Sequence, residues 1–355
     1  MMRSNKKFFC KSNSLPVDKF FLKVLYDKKY GYYATKKPFG AKGDYITAPK
    51  VSVLFCEVIA IWLISTWKNF GEPKYFNIIE LGPGDGTLAK NLIRTFKKFP
   101  KFNNSKHLYL YEISDFLKKR QKENIKNNNV KWIKNFNDIK KGPVIFFGNE
   151  FFDAIPIKQF KRFKNLFYEK YFTLGKNFKI HEKLKKISNK EMKIIKNFKS
   201  FHNLEFIEYP KLGLNELKKM IKKILFLKGG ILLIDYGYLK PNNQNTLQSV
   251  FKHKKNNLLK NLGKADVTSH VNFALLNEFF LKNNLKVKKV ITQKEFLEKM
   301  GIVQRAEILS KKMKFREQSD LYLRLKRLLS PNLMGSLFKV ILAYNHKAKN
   351  FLGFE

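Results

Sequence analysis

Ile78-Ile79-Glu80-Leu81-Gly82-Pro83-Gly84-Asp85-Gly86-Thr87 is the stretch from which the fold of this chain can be read. An apolar run from Tyr75 to Leu81 has the length and composition of a buried strand, and helical spacing resumes from about Thr87 to Phe96. Between them, three glycines at alternate positions let the backbone bend sharply and approach a ligand, while the N-terminus of the next helix offers unsatisfied N–H groups. Strand, glycine turn and helix together open a parallel α/β unit. The spacing also excludes a cofactor class. A dinucleotide fingerprint needs Gly-x-Gly-x-x-Gly, and the sixth position counted from Gly82 is Thr87.

The same rhythm continues downstream. His107 to Tyr111 precedes a helix from Ser114 to about Asn124, then come short apolar strands at Val130 to Ile133 and Val144 to Phe147. From about Ile157 to Gly229 the pattern changes, with a hairpin predicted around Gly175-Lys176-Asn177. A helix returns through Leu217, Met220, Ile221, Ile224 and Leu225 and feeds a fifth strand at Ile231 to Ile234, after which Asp235-Tyr236-Gly237 reads as a turn. Upstream, Val17 to Asp27 and Val51 to Trp67 read as helices. The second is apolar but carries Glu57, and its 17 residues suit a buried helix rather than a membrane span. The predicted division is a helical and loop extension over 1–70, a first core part over 71–156, an inserted substrate-side segment over 157–229, and a second core part with the C-terminal region over 230–355.

Composition bounds the function. With 44% hydrophobic residues, including 35 Phe and 15 Tyr, 355 residues are enough for a sizeable core. The net charge of +44 raises nucleic acid, anionic lipid or an acidic protein as partners. Only 8 of the 72 basic residues are Arg, however, and the residues in excess beside Lys are Asn, Ile and Phe, which points to an A- and T-rich gene. Phosphate-binding patches favour Arg for its bidentate fork, so no specific nucleic acid is expected. Two cysteines, Cys10 and Cys56, provide neither a disulfide framework nor a multi-cysteine metal site, and a reducing compartment fits them.

An acid followed by Gly-x-Gly-x-Gly, here Glu80 with Gly82, Gly84 and Gly86, is the form found in class I S-adenosyl-L-methionine methyltransferases, where the turn holds the methionyl part of the cofactor. Glu112 ends the second strand, where a carboxylate can accept hydrogen bonds from both ribose hydroxyls of a nucleoside. Asp138, after the third strand, reads as part of a solvated loop. Asn149, Glu150 and Asp153 follow the fourth strand, two acids and an amide beside Phe151 and Phe152, able to hold a guanidinium or ammonium and draw off its proton. His270, before an apolar helix, completes the catalytic candidates. No metal-ligand spacing stands out.

Several segments together resemble the MidA-like methyltransferases, a family that includes the mitochondrial arginine methyltransferase needed to assemble respiratory complex I. They are Tyr30-Gly31-Tyr32-Tyr33, Gly43-Asp44-Tyr45-Ile46-Thr47-Ala48-Pro49, the glycine turn, Asn149 to Pro156, Leu233 to Gly237, Thr246-Leu247-Gln248, Ala265 to Val271 and Met334 to Lys339. The resemblance implies a class I (Rossmann-like) α/β sheet, S-adenosyl-L-methionine as cofactor, and methyl transfer to arginine on a protein, a respiratory complex I subunit by family context. It adds Gly43, Asp44, Thr47 and Pro83 to the cofactor-binding candidates Glu80, Gly82, Gly84, Gly86 and Glu112. Two positions depart from the family: Lys50 and Asn272 stand where acids are common. The match begins almost at the N-terminus, so a bacterial cytoplasm is expected, with the mitochondrial matrix as the alternative. Small-molecule or RNA methylation, and a non-catalytic assembly factor that binds the cofactor, stay open from the sequence.

Overall fold

The computed structural model describes residues 5–9, 12–35, 46–127, 129–164 and 166–355. The chain forms two compact units, each built from three separated segments. One holds Ile46–Phe151, Lys218–Gly237 and Phe280–Glu355, and the other Met1–Tyr45, Phe152–Leu217 and Tyr238–Phe279.

The first unit is the α/β layer that the glycine turn foretells. Its main strands are β1 (Phe76–Leu81), β2 (Lys106–Tyr111), β3 (Val130–Ile133), β4 (Val144–Asn149), β5 (Gly229–Tyr238) and β6 (Phe338–Asn345), in the spatial order 3-2-1-4-5-6. Strands 1 to 5 run parallel and β6 is antiparallel to β5, with short strands at Lys286–Val287 and Ile291–Thr292 closing the edge beside β6. The order reverses between β1 and β4. In open α/β sheets ligands bind outside the carboxyl ends of the strands at that switch, which here means Gly82 after β1 and Glu150 after β4.

Helix α1 (Val53–Asn69) is buried along most of its length and starts at Ser52, whose hydroxyl accepts from Leu54 N at 3.2 Å. Its one acid is compensated: Glu57 meets Arg305 Nε at 3.0 Å and Arg94 at 3.8 Å. Among the described residues no helix is long and apolar enough to cross a membrane. Helices α2 (Thr87–Phe96) and α3 (Asp115–Ile125) follow β1 and β2, the latter capped by Ser114. Helix α4 (Lys211–Leu227) buries Leu217, Met220, Ile221 and Ile224, as its spacing requires.

One expectation fails. Asp235-Tyr236-Gly237 is not a turn but the continuation of β5, because Asp235 and Tyr236 pair with Lys339 and Phe338 of β6.

The second unit centres on a sheet in which Leu166–Leu174 pairs with Lys158–Phe163 on one side and Ile180–Lys186 on the other, forming the expected hairpin. Ser14–Pro16 adds to Tyr171–Thr173, and Phe206–Tyr209 adds to Lys158–Lys161. Phe20 and Phe21 of the helix Val17–Tyr26 pack on Phe172, with ring centroids 5.0 and 5.7 Å apart. The apolar helix expected after His270 begins at Phe273, where the Asn272 side chain accepts from Leu275 N at 3.0 Å.

Candidate functional site

The glycine turn leaves β1 with Gly82, Gly84 and Gly86 at φ of +59°, +58° and +83°, a left-handed region that side chains with a Cβ rarely enter. Steric crowding adds to this at Gly82, where a Cβ would lie 3.0 Å from the Phe151 ring. The turn is tied down from several directions. Gly82 N donates to Tyr111 O of β2 at 3.1 Å, Gly86 N to Pro83 O at 2.9 Å, and Asp85 Oδ1 accepts from Thr87 Oγ1 at 2.7 Å. Lys50 forms an ion pair with Asp85 at 2.6 Å. That is a physical use for the basic residue where the family commonly has an acid.

Helix α3 supplies two contacts that sequence reasoning missed. Asn124 Nδ2 donates to Asp85 O at 2.8 Å, and Gln121 Nε2 donates to Gly84 O at 2.9 Å. Gln121, fully buried, also donates to Glu112 Oε2 at 3.2 Å and accepts from Trp132 Nε1 at 2.9 Å. One amide therefore joins the glycine turn to the acid at the end of β2. No local pattern marks Gln121; only its helical phase brings it to Gly84, 37 residues earlier.

Glu112 is buried, and that burial pushes its carboxyl up to about 7 against the opposing hydrogen bonds from Ser114 N (2.8 Å) and Gln121. With about four lone-pair sites on a carboxylate, and donors at Ser114, Gln121 and the Ile113 backbone, Glu112 retains acceptor capacity for a hydroxyl. Glu80 lies deeper, near the end of β1. Burial, with the nearby charge of Asp85, pushes it up to about 8, and its Oε2 has no hydrogen-bond partner among the described residues. Burial thus favours its protonated form.

At the end of β4, Glu150 adopts φ +52°, unusual for a residue with a side chain. Its N–H donates to Ile234 O of β5 at 2.9 Å, and its Oε1 accepts from Asn149 Nδ2 at 3.0 Å and from Ala48 N at 3.3 Å. The last contact draws in Thr47, whose carbonyl accepts from Lys50 N and Val51 N at the start of the short helix Ala48–Val51. Asn149 Oδ1 is buried without a hydrogen-bond partner among the described residues.

The first unit thus gathers Thr47, Glu80, Gly82, Pro83, Gly84, Gly86, Glu112, Asn149 and Glu150. Asp153 and His270 belong to the second, where Ser269 N donates to Asp153 O at 3.1 Å and His270 N to Thr246 Oγ1 at 3.0 Å. Gly43 and Asp44 lie outside the described residues. The residues present fit a nucleoside-sulfonium cofactor: an accessible left-handed glycine turn, a helix N-terminus behind it, and a carboxylate with a spare acceptor on the adjacent strand.

Comparison with known proteins agrees. The family described as "Putative S-adenosyl-L-methionine-dependent methyltransferase" matches residues 58–291. The chain is 30% identical over 338 residues to "Protein arginine methyltransferase NDUFAF7 homolog, mitochondrial" of Caenorhabditis elegans, covering 87% of this chain and 78% of the worm protein. To "Protein arginine methyltransferase NDUFAF7, mitochondrial" of Xenopus laevis it is 26% identical over 366 residues, covering 95% and 83%. A protein from Burkholderia thailandensis crystallised with S-adenosyl-homocysteine has the same fold, with a TM-score of 0.84 over 99% of this chain and 95% of that one at 19% identity. The fold is that of class I methyltransferases, and the chain belongs to the family of S-adenosyl-L-methionine-dependent methyltransferases that its sequence matches over residues 58–291.

Proposed function

We propose that this methyltransferase modifies arginine on a protein, with Glu150 as the acid that orients the guanidinium and takes its proton. The observation that carries the reading is the left-handed Glu150 at the end of β4, held there by Ile234 O, with the unpartnered Asn149 Oδ1 beside it. Strained backbone at a strand end is tolerated where the surrounding contacts over-determine it, and such positions cluster at active sites.

Gly82, Pro83, Gly84 and Gly86 would hold the methionyl end of the cofactor and Glu112 its ribose, and the family resemblance makes Thr47, Gly43 and Asp44 further cofactor-binding candidates. Bound there, S-adenosyl-L-methionine supplies an electrophilic methyl group. A free guanidinium stays protonated in water, with a pKa above about 12, so a carboxylate must favour proton loss as the new N–C bond forms. Asp153 and His270 are the further candidates for holding substrate or passing that proton, and residues 157–229 for meeting the protein partner. The names of the relatives support arginine as the target. Family context supports a respiratory complex I subunit as the partner, and cysteine usage supports a reducing compartment, which we take to be the bacterial cytoplasm.

The test is proteome-wide mass spectrometry for methylated arginine with and without the gene, complemented by wild type or Glu150→Gln. Glu150→Gln should bind cofactor normally yet transfer methyl groups about 100-fold more slowly. Normal turnover by Glu150→Gln would remove this role from Glu150, and an unchanged set of methylated arginines would remove the substrate.

A further inference from the structure

The helix Phe315–Leu329 of the first unit has two apolar sides. The inner one buries Leu325 and Leu328, and the helix is pinned where Gln293 Nε2 donates to Leu328 O at 3.0 Å and Arg324 Nη1 donates to Val51 O at 3.1 Å. The outer one faces solvent, where a surface helix is ordinarily polar. Phe315 is 85% exposed and Leu323 66%, and the exposed Tyr322 directs its hydroxyl to Ser310 Oγ at 3.2 Å. At about 3.6 residues per turn these three residues and Ser319 fall within about 100° of arc, so they form one stripe along about two turns. A single exposed leucine is ordinary, whereas an aligned stripe with a protruding phenyl ring marks a contact surface.

The charge around the stripe is of one sign. Between Lys311 and Arg327, seven exposed basic side chains stand against two acids. Both acids are occupied: Glu317 accepts from Lys314 N at 2.9 Å, and Asp320 pairs with Arg324 at 2.7 Å. Lys311, Lys312, Arg316, Lys326 and Arg327 have no ion pair among the described residues. Base composition explains an excess of lysine but not the arginines here, which are three of these seven against 8 of 72 in the whole chain. Arg324 is used within the fold, but Arg316 and Arg327 border the stripe beside Leu323 in helical phase. A guanidinium fork matches the oxygens of a phosphate.

We propose that this face lies on an anionic lipid bilayer, with Phe315, Tyr322 and Leu323 at the boundary between headgroups and acyl chains and the basic side chains against the lipid phosphates. Interfacial helices combine these features: an apolar stripe, a cationic surround and low overall hydrophobicity. The stems of Lys326, Arg316 and Arg327 can lie along the stripe while their charged heads stay among the headgroups. A bilayer fits better than a protein helix, because a docking helix needs a concave apolar groove and a ring 85% exposed protrudes. The helix is already fixed on its inner side, so binding orders little chain. Attachment is peripheral, since among the described residues no helix is long and apolar enough to cross a membrane. The surface is independent of the arginine reading.

The test is flotation of the full-length protein with vesicles of phosphatidylcholine alone or with about 30% phosphatidylglycerol, at about 0.15 M salt. Wild type should bind the anionic vesicles at least about 10-fold tighter than the neutral ones. Phe315→Ser combined with Leu323→Ser leaves every charge in place and should weaken that binding by about 10- to 100-fold, the range for two partly inserted apolar side chains, with S-adenosyl-homocysteine affinity unchanged. Undiminished binding by this double variant would mean that the net charge of +44 adsorbs the protein by itself, and overturns the proposal. Absence of binding to the anionic vesicles overturns it too, as does soluble polyglutamate displacing the vesicles completely, which would point to an acidic polypeptide. Should the double variant not fold, Phe315→Trp decides: its fluorescence, relative to wild type, should shift to the blue on adding anionic vesicles, and no shift refutes insertion. Proteome methylation scores the arginine reading separately, since neither outcome there moves the vesicle measurements.

Discussion

Gln121→Leu isolates the link between the glycine turn and Glu112. Leucine matches the buried volume closely, so the change removes hydrogen bonds without opening a large cavity. Three are lost: to Gly84 O at 2.9 Å, to Glu112 Oε2 at 3.2 Å, and from Trp132 Nε1 at 2.9 Å. Each fully buried orphan costs about 1–3 kcal/mol, but Gly84 and Trp132 are partly accessible and can be rehydrated, so about 2–4 kcal/mol in total is expected. At about 2.1 cal/mol/K of unfolding entropy per residue, that is a fall in Tm of roughly 3–5 °C for a chain of this length.

Stability alone would make Gln121 a core residue and nothing more, so the deciding measurement is calorimetry with S-adenosyl-L-methionine. Releasing Gly84 and Glu112 together should weaken binding by about 5- to 30-fold, corresponding to roughly 1–2 kcal/mol. Gln121→Glu sharpens the test. It keeps the shape but sets a carboxylate against Glu112, so cofactor affinity should be poor at pH 8 and recover as pH falls and the introduced acid regains a proton to donate. A Gln121→Leu protein that binds the cofactor within twofold of wild type, despite the lower Tm, would refute the coupling.

Glu112→Ala should weaken S-adenosyl-L-methionine by about 10- to 100-fold through the lost charge-assisted bonds, read by the same calorimetry; unchanged affinity would place the ribose elsewhere. Gly84→Val forces a β-branched residue into φ +58° and should abolish cofactor binding while circular dichroism shows a folded protein. Glu80 and Glu112 have folded-state values raised to about 8 and about 7, so their contribution to stability is complete below about pH 4.5 and is lost as pH rises through those values. Urea unfolding of the cofactor-free protein should therefore show a smaller loss of stability between pH 6 and 8.5 in Glu80→Gln than in wild type, and equal losses would contradict the raised proton affinity of Glu80.

What the sequence discloses and what it hides divide along sequence separation. β1, the glycine turn and α2 are specified within about a dozen consecutive residues, where apolar periodicity and three glycines agree, and so they are legible directly. In the second unit only the hairpin around Gly175 is legible, because the rest of its sheet depends on pairings such as Ser14 with Thr173, 159 residues away, which no local pattern announces. Asp235-Tyr236-Gly237 misleads for a related reason: its composition is that of a turn, but a distant partner, β6, supplies the ladder that keeps it extended.

Lys50 shows how a departure from a family pattern becomes interpretable only once its neighbours are known. Read alone, it is a lost carboxylate beside the loop that includes Thr47. In the folded chain its ammonium lies 2.6 Å from Asp85, within the turn proposed to hold the methionyl group. The charge of Asp85 already pushes the buried Glu80 carboxyl upward. An acid at position 50 would add like charge to that corner, whereas Lys50 offsets it and anchors the turn to the segment that reaches Glu150 through Ala48 N. Replacing Lys50 by Glu, the residue common in the family, should therefore loosen the turn here rather than restore a missing function, unless a second substitution also removes the charge of Asp85.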